Sequence, residues 1–166
     1  MKTRLKYLLA IVVLCTAAVS CDNPYEEFKL VQEVSQEELR SGYSFDFPMD
    51  TGFVYNTAVV CRIDADASVK GTVDLTFDVI APNFVSYSES VPFPVVSNYR
   101  QQSALGEEAN VAFKKRGRWL DNQWGWRRDI SCDTLPGRWR VIVSAKDATD
   151  LERIKAIGFS YKGRRK

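Results

Sequence analysis

Val73-Asp-Leu-Thr-Phe-Asp-Val-Ile80 is the stretch that decides the fold. Val73, Leu75, Phe77 and Val79 take every second position, with Asp74, Thr76, Asp78 and Ile80 between them. Successive side chains of a strand point to opposite faces, so this spacing builds one apolar and one largely polar face; on a helix the two sets would mix. The run stops at Ala81-Pro82-Asn83, a turn signal.

The same period extends both ways. Upstream, Tyr43, Phe45 and Phe47 alternate with Ser44 and Asp46, and Tyr55, Thr57, Val59, Cys61 and Ile63 alternate with Asn56, Ala58, Val60 and Arg62. Downstream, Val85, Tyr87, Val91 and Phe93 stand opposite Ser86, Ser88 and Ser90. Trp139, Val141 and Val143 then alternate with Arg138, Arg140 and Ile142, and Ile157, Phe159 and Tyr161 close the chain. Asp50-Thr51-Gly52, residues 64–71 and Pro136-Gly137 separate the runs. Short amphipathic strands between turns predict an all-β fold, a single antiparallel β-sandwich of jelly-roll-like type, over residues 42–166. A closed barrel is the alternative. A membrane barrel does not fit strands this short with aromatics on the core face.

Three stretches depart from the period. Ser35-Gln-Glu-Glu38 reads as a helix start and Thr149 to Ile154 as one helical turn. Residues 97–110, SNYRQQSALGEEAN, read as loop, with Val111–Phe113 and Arg118–Leu120 as further strand pieces.

The N-terminus carries an address. Lys2, Arg4 and Lys6 precede an uncharged run from Tyr7 to Ser20, which ends in Ala17-Ala18-Val19-Ser20-Cys21. The run is shorter than the ~20 residues that cross a bilayer, so residues 1–20 read as a signal peptide. It resembles a bacterial lipoprotein signal: Cys21 becomes the lipidated first residue, and residues 21–41 form a polar tether. Two or three acyl chains anchor stably where one is marginal. Without residues 1–20 the 23 Lys and Arg fall by three, against 21 Asp and Glu, leaving a net charge of −1. That balance gives no reason to expect nucleic acid as a partner. The chain contains no histidine, which removes His-based acid–base, nucleophile and metal chemistry. No enzyme, cofactor or metal site is expected.

The candidate contact surface is KKRGRWLDNQWGWRRD, residues 114–129. It sets Arg118, Arg127 and Arg128 among Trp119, Trp124 and Trp126. Arg and Trp are favoured at protein interfaces, and exposed indole faces also stack on sugars. The bland alternative is tryptophans covering the sandwich core beneath solvated arginines. Asp64-Ala-Asp66, with Asp46 or Asp50, offers calcium-type oxygens or a solvated turn. Cys61 and Cys132 are either a disulfide or two buried thiols. Lys162-Gly-Arg-Arg-Lys166 is a solvated tail, or a contact for lipid headgroups or an acidic partner.

The lipobox, Tyr25-Glu-Glu-Phe28, Tyr43-x-Phe-x-Phe47 and Tyr55-Asn-x-x-x-x-Cys-Arg62 together resemble the GldH-type gliding-motility lipoproteins of Bacteroidetes. Leu135-Pro-Gly-x-Trp139 and Leu151 to Ile157-Gly-Phe159 extend the likeness to most of the mature chain. The Arg- and Trp-rich middle departs from that pattern. The resemblance implies a non-enzymatic envelope lipoprotein, membrane-anchored and bound to protein partners of a motility or secretion complex. A glycan-binding lipoprotein of polysaccharide capture is the alternative. Only Asp22 lies close behind Cys21, so a periplasm-facing anchor is expected.

Overall fold

A computed structural model describes residues 25–32, 34–64, 71–106 and 111–166. The signal peptide, Cys21 and Asp66 therefore lie outside the described residues. Nine strands are described: β1 Tyr25–Gln32, β2 Tyr43–Met49, β3 Phe53–Asp64, β4 Thr72–Ile80, β5 Ser86–Pro94, β6 Val111–Arg116, β7 Trp119–Ile130, β8 Gly137–Ala145 and β9 Ile154–Arg165. Three short helices join them: α1 Gln36–Ser41, α2 Tyr99–Leu105 and α3 Ala148–Arg153.

The strands form two antiparallel sheets, ordered β1-β9-β3-β7-β6 and β2-β8-β4-β5. The partners are nested along the chain: β1 with β9, β2 with β8, β3 with β7, and β4 with β5. Such a nested ribbon, folded over so that β3 also meets β9 and β4 meets β8, is a jelly-roll sandwich. Strand β6 is added at one edge as a hairpin with β7.

The predicted alternation becomes the core. Val73, Leu75, Phe77 and Val79 of β4 are all buried, facing Val59, Cys61 and Ile63 of β3 and Phe159 and Tyr161 of β9 across the sandwich. Phe47 packs at 5.3 Å from Phe159 and 5.1 Å from Tyr161, and Phe77 stacks on Trp126 at 4.7 Å. At Gly163 a Cβ would stand 2.7 Å from the Tyr55 ring, so that pairing of β3 with β9 needs a glycine. Tyr55 is held in turn by the Asp50 N–H, which donates to its hydroxyl at 2.9 Å.

Three expectations change. The segment read as a tether contains β1, paired with β9 over its length, so the sandwich includes Tyr25–Gln32 and is not confined to residues 42–166. The loop at 97–110 contains α2, which Asn98 caps by accepting from the Gln101 N–H. Lys162–Lys166 is no solvated tail: β9 runs through Arg165, and the Lys166 N–H donates to Gly52 O at 3.0 Å. Of the two readings of Cys61 and Cys132, the buried thiols stand: both are free and both are buried. The helix start at Ser35 stands as a capping box, Ser35 and Glu38 bonding each other's backbone N–H. No helix among the described residues is long and apolar enough to cross a membrane.

Candidate functional site

Residues 114–129 occupy β6 and β7, and β7 is an inner strand of the five-stranded sheet. The tryptophans therefore are not a shared exposed platform. Trp126 is buried against Phe77, Trp124 meets Phe93 edge-on at 6.2 Å, and Trp119 is half-buried under the Arg118 guanidinium at 4.8 Å.

A double bulge in β7 explains what each side chain does. Ala58 opposes Gly125 and Thr57 opposes Arg127, so Trp126 is an extra residue; Tyr55 opposes Ile130, which leaves another extra residue beyond Arg127. A bulge puts two residues opposite one and resets the alternation. The first bulge turns Trp126 and Arg127 to the same face, where both reach Glu89 on β5 of the other sheet. Trp126 Nε1 donates to Glu89 Oε1 at 2.7 Å, and Arg127 Nη2 donates to both carboxylate oxygens at 2.5 and 2.6 Å. Arg127 also lies 5.0 Å above the Trp126 ring. This cluster closes the open side of the sandwich, a structural task.

The second bulge sends Arg128 outward and puts Asp129 at φ +52°, with the Asp129 N–H donating to Asn56 Oδ1 at 2.8 Å. Across the outer face, register aligns Asn56 with Lys162, and Ala58 with Ser160 and Gly125. The result is a polar groove of about 370 Å³ with a floor of small residues and walls of Asn56, Gln123, Arg128 and Lys162. Arg128 makes no ion pair among the described residues.

Arg118 is bonded to Asp64, which removes that carboxylate from the calcium constellation read in the sequence. Asp46 accepts from Arg140 Nε at 2.7 Å, and Asp133, bonded by Lys166, is held below the ordinary carboxylate range by that bond. Burial pushes the Cys61 thiol up to about 12, the Asp150 charge adding to the effect. A thiol so placed is inert as a nucleophile.

One surface went unread in the sequence. The β4–β5 hairpin is a three-residue loop, with the Ala81 N–H donating to Val85 O and the Phe84 N–H to Ala81 O, each at 2.9 Å. Such loops place a left-handed residue last, usually glycine. Here it is Phe84, at φ +65° and 87% exposed, beside Val85 at 64%. Below it runs a cleft of about 410 Å³ between Ile80, Ala81, Pro82 and Phe84 on one wall and Arg138 and Arg140 with Asp46 on the other. The available sequence signal was an aromatic directly after Pro82-Asn83, where a turn favours glycine.

No protein-family model matches this sequence, and no curated protein matches it significantly. Among solved structures, TmCBM61 in complex with beta-1,4-galactotriose is 15% identical over 74% of this chain and 61% of that chain, with a TM-score of 0.31. This chain thus spans about three fifths of that protein's length. A structure of infectious bursal disease virus, Gx strain, is 8% identical over 88% of this chain and 39% of that one, with a TM-score of 0.20. Likenesses this distant do not speak to what this chain binds.

Proposed function

We propose that this chain is a lipid-anchored, non-enzymatic protein of the cell envelope, an accessory subunit of a motility- or secretion-type complex. The observation that supports the anchor is the N-terminal sequence, a basic start, an uncharged run from Tyr7 to Ser20 and small residues directly before Cys21. Strand β1 is described from Tyr25, the fourth residue after Cys21, where it pairs with Gly163. The resemblance to GldH-type lipoproteins supplies the kind of complex. A binding role is supported by the carboxylates: Asp46, Asp64, Glu89, Asp121, Asp129, Asp133 and Asp150 are each engaged by a basic side chain. Carboxylates engaged in this way tie the fold together and are not presented to a substrate.

With Trp126 in the core, the partner contact falls to the exposed cations, Arg128 in the groove and Lys114 and Lys115 on edge strand β6. The test is a gentle-detergent pull-down of the tagged full-length lipoprotein, read by mass spectrometry. Stoichiometric envelope partners, lost on Arg128→Glu or on Lys114→Glu with Lys115→Glu, are expected. Recovery of the protein alone overturns the complex.

The polar groove favours a second reading, a glycan site. Amides, a hydroxyl and two cations over a flat floor suit a hydroxyl-rich ligand, above all one with a carboxylate. Calorimetry with neutral and uronate-bearing oligosaccharides tests it; no heat with either excludes it.

A further inference from the structure

We propose that the end of the sandwich bearing Phe84 docks on the surface of the bilayer that holds the anchor, with Phe84 and Val85 entering the headgroup layer. The inference rests on the anchoring of Cys21 proposed above. It starts from topology. Strands β1, β3, β5 and β8 begin at one end of the sandwich, where β2, β4, β7 and β9 finish. Tyr25, Phe53, Ile130 and Gly163 lie there, with the turns at 50–52, 81–85 and 131–136. Cys21 is four residue steps from Tyr25, which an extended chain covers in about 14 Å. An acylated Cys21 therefore keeps this end, and not the β6–β7 hairpin at the other, against the membrane.

What the end presents suits that neighbour. Among the described residues, Phe84 and Val85 are the two most exposed of the large apolar side chains. The Phe84 ring adds almost nothing to the core, yet it is carried on a left-handed backbone that an L-residue adopts only at a cost in free energy. Beside it, the cleft sets an apolar wall against Arg138 and Arg140, the pattern of an acyl chain with its phosphate. Arg138 makes no ion pair among the described residues, and Arg165 lies over the Phe53 ring at the same end. Asp50, Asp129 and Asp133 also belong to this end and temper the positive field, the last two paired with Arg164 and Lys166. The apolar tip consequently leads the contact, and Arg138 takes phosphate oxygens, Arg140 being held by Asp46.

The experiment uses the full lipidated protein in vesicles of three parts phosphatidylcholine to one of phosphatidylglycerol, with nitroxide on the upper acyl chain of a fraction of the lipid. An environment-sensitive fluorophore is placed through Val85→Cys, or through Lys115→Cys at the far end. Cys61 and Cys132 are buried, and the unsubstituted protein serves as the labelling blank. Docking predicts at least twofold quenching at position 85 and almost none at 115. Adding Phe84→Gly or Arg138→Gln should reduce the quenching at 85 by about half. Mass spectrometry of the N-terminal peptide reports the anchor separately. A diacylated chain whose two labels are equally unquenched overturns the docking and leaves the anchor standing. A chain without N-terminal lipid overturns the anchor and the orientation with it. A label at 85 shielded by a co-purified protein, and not by lipid, overturns the bilayer as occupant.

Discussion

Phe84→Gly should make the protein more stable, an unusual expectation for removing an aromatic ring. Phe84 sits at φ +65° and is 87% exposed. The left-handed backbone costs an L-residue about 1–2 kcal/mol, which glycine does not incur. Glycine returns ~0.5–1 kcal/mol of this through its greater freedom in the unfolded chain. Full burial of a phenylalanine is worth roughly 2–3 kcal/mol, and with the ring nearly all in water only about 0.3 kcal/mol of that is lost. The net is a gain of about 0.5 kcal/mol, or ~2 °C in Tm for a domain of this size. Phe84→Ala removes the ring but keeps the strain, so it should fall ~1 kcal/mol below the glycine variant. Calorimetric melts of the three proteins in one detergent buffer read both differences. A glycine variant that melts several degrees below the parent would show that the ring is packed, and would refute both the strain argument and the protruding tip.

Trp126→Ala should cost about 3–5 kcal/mol, because it opens a cavity beside Phe77 and strips Glu89 of a donor; a urea melt in which the variant matched the parent would return Trp126 to the surface. Glu38 is held below its ordinary value of 4.5 by bonds from Ser35 and then Tyr43. Its stabilisation is accordingly present above that value and lost as pH falls through the lower folded one, so melts of the parent and Glu38→Gln should differ at neutral pH and converge in acid. The Tyr43 hydroxyl is pushed up to about 12 by burial and then by Glu38, so its contribution holds below the ordinary value of 10.0 and disappears as pH rises through about 12. Alkaline absorbance titration of the parent against Tyr43→Phe checks that limb. In the protein acylated at Cys21 as proposed, a disulfide-type thiol reagent at pH 8 should find almost no reactive cysteine before unfolding and two in urea, Cys61 and Cys132; none in urea would mean that the two are bridged.

The legible parts of the chain were those whose cause is local. Phe45 and Phe47 or Val141 and Val143 repeat every two residues, and that repeat survives in the burial of β2 and β8. The helix at Ser35 was readable because cap and partner are three residues apart. Composition leaves the Trp-rich segment open between an interface and a cover for the core, because which of its side chains turn inward depends on its place between β3 and β6, strands far apart in the chain. Strand β1 hid for a related reason: its partner, β9, lies at the other end of the sequence.

Sequence alone was enough for the all-β class, the turn positions, the absence of histidine chemistry and the expectation of a lipidated Cys21. Those follow from period, composition and short motifs, which need no knowledge of neighbours. Only the tertiary structure decided that the strands nest into a jelly roll, that two bulges turn Trp126 inward and Arg128 outward, and that Phe84 shares an end with Tyr25. Each of these is a matter of register between strands tens of residues apart, and a one-residue slip there reverses which face a side chain occupies.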